Sequence, residues 1–169
     1  MQPGSIVINK STVPVGSTHV VADALGRSDV HVVSNPEFLR EGSAVADFLK
    51  PERVVIGADD SDVAARVAGL QLRRSAPLLV TDPESAELIK YASNAFLATK
   101  ISYANSIAAL AEAVGADMDD VVIGMGLDSR IGSSFLQPGP GWGGSCLPKD
   151  TSALIYTAQS VGYSFSMLD

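Results

Sequence analysis

The 169-residue chain is 46% hydrophobic and 18% charged, which suits one globular domain or two small ones with a real core. A formal net charge of −7 and a pI near 4.7 argue against a nucleic-acid or anionic-membrane partner, and an anionic ligand would need local positive charge. One cysteine excludes an internal disulfide framework, and one cysteine with two histidines supplies no metal-ligand cluster.

No basic-then-apolar leader opens the chain, so a cytoplasmic location is expected. Residues 5–9 (SIVIN) form a short β-branched run and are predicted as a buried strand. KSTVPVG at 10–16 breaks that run, and 17–25 are predicted as a helix. HVVS at 31–34 is the second strand. Asn35-Pro36 then reads as a helix start, with Asn as cap, Pro in the first turn and Glu37 at the electropositive end. RVVIG at 53–57 is a third strand, 62–72 a helix, and PLLVT at 77–81 a fourth strand. Strands alternating with helices predict a parallel α/β sheet.

After Asp82-Pro83 the pattern becomes helical. One long helix is predicted from 84 to about 114, closed by Gly115, then a short helix at 118–124, a loop at 128–144 and a last helix from 148 to about 161. The expected organisation is α/β over 1–82 and all-α over 83–169. Within the long helix, residues 91–111 carry Lys100 as their only charge, close to the ~20 residues that span a bilayer. Asn94, Asn105 and several hydroxyls interrupt it and seven of its residues are alanine, so a helix buried on most sides is expected instead of a membrane span. The α/β part starts as though mid-sheet, and YSFSMLD follows a helix with no stop beyond Gly162. The chain is therefore expected to be an internal piece of a longer protein.

FLQPGPGWGGSCLPKD at 135–150 holds four glycines and three prolines and delivers Cys146 to a predicted helix N-terminus. A thiol there faces unpaired backbone N–H groups and the positive end of the helix dipole, a setting that suits a nucleophile. A small buried residue is the competing reading. Asp150 follows one turn on, where its carboxylate is expected beside the sulfur, and Lys149 adds positive charge for a thiolate or a phosphate. Gly139 to Gly144 formally match G-x-G-x-x-G, but no strand precedes them. We read a loop that lets backbone approach a ligand closely. Lys90 and Asn94 stand four apart on the long helix, a cation and an amide donor on one line that could hold an oxyanion. Glu37 and Glu41 are expected on one helical face, equally suited to a dipole-favoured surface or to a general base. Ser11 and Thr12 follow a strand, where open α/β sheets bind ligands. His19 and His31 receive no role.

KSTVPVGST (10–18), NPEFLREGSAVADFL (35–49), RVVIG (53–57), SAELIKYASNAFLATKIS (85–102) and SRIGSSFLQPGPGWGGSCLPKD (129–150) resemble, in that order, the UDP-glucose/GDP-mannose dehydrogenase family. The resemblance covers roughly residues 5–163. It implies the C-terminal portion of a Rossmann-like NAD-binding domain, followed by a helical dimerisation domain with one long central helix. It implies two successive NAD-dependent oxidations of a nucleotide-sugar alcohol to a uronic acid. By motif, Cys146 is the nucleophile, Lys90 and Asn94 stabilise the oxyanion, Glu37 is the general base, and Thr12 and Asp150 position water and assist proton transfer. Phe38, Leu39, Arg40 and Glu41 would lie along the sugar nucleotide, with Phe135, Leu136 and Gly143 on its sugar side. Arg130 would reach the substrate of a partner subunit, and Ser11, Thr12, Glu41 and Lys149 would border NAD. The form of the glycine loop points to UDP-glucose, with GDP-mannose or a UDP-amino sugar as alternatives and a non-catalytic dimerisation module as the rival from another class. Ser106 stands where many members carry an acid, and Leu147 where most carry an aromatic. A dinucleotide fingerprint and a third, nucleotide-sugar domain fall outside this sequence, so the chain alone is expected to bind NAD negligibly and not to turn over.

Overall fold

In the computed structural model, which describes residues 1–71 and 76–168, the chain divides into two units, Met1–Tyr91 and Ala92–Asp169. The first contains β1 (Ile6–Asn9), α1 (Ser17–Leu25), β2 (His31–Ser34), α2 (Ala44–Leu49), β3 (Val54–Gly57), α3 (Ser61–Gly69) and β4 (Leu78–Thr81). α4 (Pro83–Val114) gives its first turns to this unit and the remainder to the second, which also holds α5 (Met118–Gly126) and α6 (Leu147–Ser160).

The apolar runs build the core of the first unit. Val33, Val54, Ile56, Val63, Ala64 and Val67 are buried together, with Ile6 and Ile8 against them. Each large aliphatic side chain taken from water stabilises by ~1.5–3 kcal/mol. β3 is buried along its whole length, which explains why RVVIG reads as a continuous apolar run and not as an alternation. α3 starts where Asp60 caps it, accepting from the N–H groups of Asp62 and Val63. It ends at Gly69, short of the predicted 72, and Leu72 lies outside the described residues.

The sheet order is β1-β2-β3-β4. β1 pairs with β2 and β3 with β4 in parallel, but β2 and β3 are antiparallel, which corrects the expectation of a parallel sheet throughout. They pair only at Ser34 and Gly57, the last residue of each strand. A parallel neighbour needs a crossover that carries the chain back along the sheet. Residues 35–53, with the six-residue α2 as their helix, do not make that crossover. The chain therefore returns as β3 pointing the opposite way, and the C-terminal tips of both parallel pairs meet. Gly57 is required at that meeting. A Cβ there would lie 2.6 Å from the Ala86 Cβ, 2.7 Å from the Asp82 carbonyl oxygen and 2.8 Å from the Pro83 Cα.

The helix start read at Asn35-Pro36 is also corrected: the chain is irregular there and α2 begins at Ala44. Asn35 is 3% exposed and its side chain serves the sheet. Its Nδ2 donates to the Val55 carbonyl at 2.7 Å, while its Oδ1 accepts from Lys10 Nζ at 2.9 Å. An amide committed across strands cannot cap a helix. Glu37 and Glu41 consequently share no helical face.

In the second unit, α4 buries Ala95, Ala98, Ala104 and Ala111, and Val122, Leu136, Leu154 and Ala158 are buried on the other elements. Asp117 caps α5 by accepting from the N–H groups of Asp119 and Asp120, and Gly115, at φ 73°, closes α4. Only one face of α4 is covered: Phe96, Tyr103 and Leu110 are 64%, 53% and 56% exposed. Among the described residues no helix is long and apolar enough to cross a membrane.

Candidate functional site

The predicted residues fall into two clusters, one in each unit. In the first, the parallel tips of β1 and β2 deliver the segments that follow them. Asn9 Oδ1 accepts from the Ser11 N–H at 3.2 Å, turning the chain beyond β1 and leaving Ser11 exposed and Thr12 half-buried. Lys10 Nζ donates to both the side-chain and main-chain oxygens of Asn35, tying the tip of β1 to that of β2. Two residues beyond Asn35, Glu37 Oε1 lies 3.5 Å from Lys90 Nζ. Glu37 Oε2 accepts from the Leu39 N–H at 2.6 Å.

Lys90 is buried, so its charge depends on partners. It has Glu37 and the face of Phe38, whose ring centroid is 5.2 Å from Nζ. The Arg53 guanidinium lies 3.9 Å from the same centroid, so two cations contact one aromatic ring. Arg40 turns elsewhere: its guanidinium donates to both oxygens of Asp47 at 2.6 and 3.1 Å and lies 3.5 Å from Glu52. Those bonds from Arg40 hold the Asp47 carboxyl well below the usual carboxylate range, aided by the Arg40 N–H and the Ser43 hydroxyl. Glu41 and Leu39 are exposed beside it.

In the second cluster, Cys146 is the N-cap residue of α6 and is exposed, with no side-chain cap of its own. Its Sγ lies 3.7 Å from Ser145 Oγ, and its carbonyl oxygen accepts from the Asp150 N–H at 2.9 Å. Asp150 is 1% exposed. One of its oxygens accepts from Asn94 Nδ2 at 2.6 Å and the other from Lys149 Nζ. The carboxylate expected beside the sulfur is thus held by an amide and an ammonium. Lys90 and Asn94, read as one polar line on α4, are committed to different partners.

The glycine loop is pinned to α4 at two points. The Gly139 N–H donates to Asn105 Oδ1 at 2.8 Å, and Trp142 Nε1 donates to Ser102 Oγ at 2.9 Å. Asn105 reads from sequence only as an interruption of an apolar helix, and Ser102 only as one of the hydroxyls that interrupt it. Leu136 is buried, while Phe135 is exposed and held at φ 64°. A bulky residue in that region costs about 1–2 kcal/mol. Gly143 has neither a positive φ nor any atom within 4 Å of an added Cβ. Arg130 donates to both oxygens of Asp128, at 2.5 and 3.0 Å, and keeps that carboxyl low. Among the described residues no group of side chains could hold a metal ion.

Residues 1–72 match the UDP-glucose/GDP-mannose dehydrogenase family, NAD binding domain, and residues 84–169 the central domain of the same family. The chain is 53% identical over 169 residues to UDP-glucose 6-dehydrogenase TuaD of Bacillus subtilis (strain 168), covering 97% of this chain and 37% of that protein. It is 52% identical to UDP-glucose 6-dehydrogenase of Rhizobium meliloti (strain 1021), covering 94% of this chain and 38% of the relative. Among solved structures it superposes with TM-score 0.90 and 48% identity on a UDP-glucose dehydrogenase from the hyperthermophilic archaeon Pyrobaculum islandicum, covering 96% of this chain and 39% of that one. The chain thus spans under two-fifths of the length of these relatives.

Proposed function

The chain belongs to the UDP-glucose/GDP-mannose dehydrogenase family, and we propose that it serves the NAD-dependent oxidation of UDP-glucose to UDP-glucuronate, with Cys146 as the covalent centre. The observation that carries this reading is the second cluster: an exposed thiol at a helix N-terminus, one turn from a buried carboxylate fixed by Asn94 and Lys149. An accessible nucleophile above a rigid polar support is what covalent catalysis requires.

When bound, NAD accepts the hydride in each of the two oxidations. Cys146 sulfur adds to the carbonyl carbon of the aldehyde left by the first oxidation, and Lys90 and Asn94 stabilise the oxygen that becomes negative. Loss of hydride from that thiohemiacetal leaves a thioester on Cys146. Glu37 takes a proton from water as it attacks the thioester carbon, with Thr12 and Asp150 positioning the water. The C–S bond breaks, releasing the carboxylate and the free sulfur. Phe38, Leu39, Arg40 and Glu41 flank the nucleotide sugar and Phe135, Leu136 and Gly143 its hexose. Glycine at 143 answers no internal contact, which fits a backbone approached by a ligand. Lys149 lies toward a phosphate or the cofactor.

The cofactor fit is partial. Ser11, Thr12 and Glu41 follow the C-terminal tips of the parallel strands and suit one edge of a dinucleotide. The N-termini of α1 and α3 are not open to a pyrophosphate, because Glu87 accepts the Gly16 and Thr18 N–H groups at α1 and Asp60 fills that of α3. We further propose a boundary near residue 82 between the NAD-binding and central domains, a cytoplasmic location, and a homodimer formed along α4, with Arg130 directed at the substrate of a partner subunit.

The test is NADH release by the full-length gene product with UDP-glucose, GDP-mannose and a UDP-amino sugar. Two NADH per UDP-glucose, and no uronate from Cys146→Ser, are expected. Preference for another sugar nucleotide would reassign the substrate, and normal uronate formation by Cys146→Ser would remove the thiol from the mechanism.

A further inference from the structure

Glu87, in the second turn of α4, is 2% exposed and takes no part in the steps above. Its partners lie on another element, 69 and 71 residues earlier. Oε2 accepts from the Gly16 N–H at 2.6 Å, and Oε1 accepts from the Thr18 N–H at 2.9 Å and from Thr18 Oγ1 at 2.7 Å. α1 has no cap from its own sequence, since its N-cap residue is Gly16 at φ 92°. Open space surrounds a Cβ built there, so glycine answers the backbone angle and not crowding. A carboxylate from α4 therefore does the work of an N-cap for α1, with the helix dipole favouring its charge.

The consequence reaches the first cluster. The segment that Glu87 anchors at Gly16 leaves β1 at Asn9 and carries Ser11 and Thr12 between the two fixed ends. Glu87 also precedes Lys90 by three residues, so the anchor and the cation ride on the same helical turn. We propose that Glu87 is a positioning residue: it fixes Thr12 relative to Lys90, so that the water attacking the thioester meets a preset geometry. This rests on the roles given to Thr12, Lys90 and Cys146 above. A loosened loop would slow hydrolysis more than thiol addition, so the acylated enzyme would accumulate, and because Ser11 and Thr12 also border the cofactor the KM for NAD would rise.

Glu87→Gln and Glu87→Asp, made in the full-length protein, test this with two readouts. The first is amide hydrogen exchange at Gly16 and Thr18, which needs neither substrate nor NAD. The second is NADH release resolved in time, with the mass of the Cys146 adduct. Glu87→Gln keeps one acceptor oxygen and turns its amide NH2 toward the other N–H, so exchange should speed about tenfold at one of the two amides. The variant should also give a burst of NADH, a kcat lowered about tenfold or more with the KM for the sugar nucleotide lowered alongside it, and an adduct on Cys146. Glu87→Asp should recover part of both. If Glu87→Gln does not fold, Thr18→Val removes one of the three bonds and should show the same burst at smaller amplitude. A kcat loss matching the unfolded fraction, without burst or adduct, overturns the positioning role, and unchanged exchange at Gly16 and Thr18 overturns the cap. Absence of turnover by the wild type would instead overturn the proposed function, and the positioning role with it.

Discussion

Asp150 shows what a buried charge asks of its neighbours. At 1% exposure its carboxylate depends on Asn94 and Lys149, one on each oxygen. Replacing Asn94 with alanine leaves that oxygen without a donor, and destabilisation of ~1–3 kcal/mol is expected in urea unfolding. An unchanged midpoint would mean that water replaces the amide without loss. Asp47 makes a pH prediction. Hydrogen bonds from Arg40 lower its folded pKa, so its contribution is complete above the ordinary carboxylate value of about 3.9 and is lost only as pH falls through the lower folded value. In a carbon-detected NMR titration the Asp47 carboxyl should stay ionised at pH 3.5, and midpoint titration near 4 would contradict the Arg40 contact. The spacing of four placed Lys90 and Asn94 correctly on one helix. Their partners were not legible, because Glu37 and Asp150 lie 53 and 56 residues away and no local pattern records such distances. Glu87, inside SAELIK, is hidden for the same reason, since its partners lie 69 and 71 residues earlier.

Where capping chemistry is local, element boundaries could be read within a residue or two. α5, capped by Asp117, starts at Met118 as read, and Gly115 ends α4 as read. Asn35-Pro36 was misread because a good cap residue was drawn into a long-range bridge between strands. Gly57 carries the prediction at this scale. Its added Cβ would overlap Ala86 and the backbone of Asp82 and Pro83 at 2.6–2.8 Å, with two of the three obstacles being main chain. Gly57→Ala should destabilise the first unit by roughly 1–3 kcal/mol, since the first turn of α4 must shift. Thermal unfolding measures it, and the change is expected to be larger than for Gly143→Ala, where no atom obstructs. Equal effects at the two sites would show that the close approach of β3 to α4 is not rigid.

At the scale of the molecule, alternation of strands and helices indicated an α/β unit but not the polarity of its middle pair, because the 19 residues between β2 and β3 (35–53) are long enough for either direction. The uncharged stretch of α4 was legible as buried, but the direction of burial was not. One face is covered by the chain itself. The other presents Ala92, Phe96, Thr99, Tyr103, Ser106, Leu110 and Ala113, spaced alternately by four and three residues. That is the period of a left-handed helix pair, in which each side chain of one seam enters a gap of the other. Phe96 and Tyr103 are the large anchors, 64% and 53% exposed in the single chain. Central aromatics in such contacts carry ~2 kcal/mol or more each, so each loss should weaken association by about 30-fold. Light scattering is expected to give a dimer for the wild type and a monomer for Phe96→Glu with Tyr103→Glu. Helical circular dichroism should be retained, because neither side chain belongs to the buried face. A double variant that stays dimeric would move the interface off this seam and leave the apolar character of α4 to be explained by another contact.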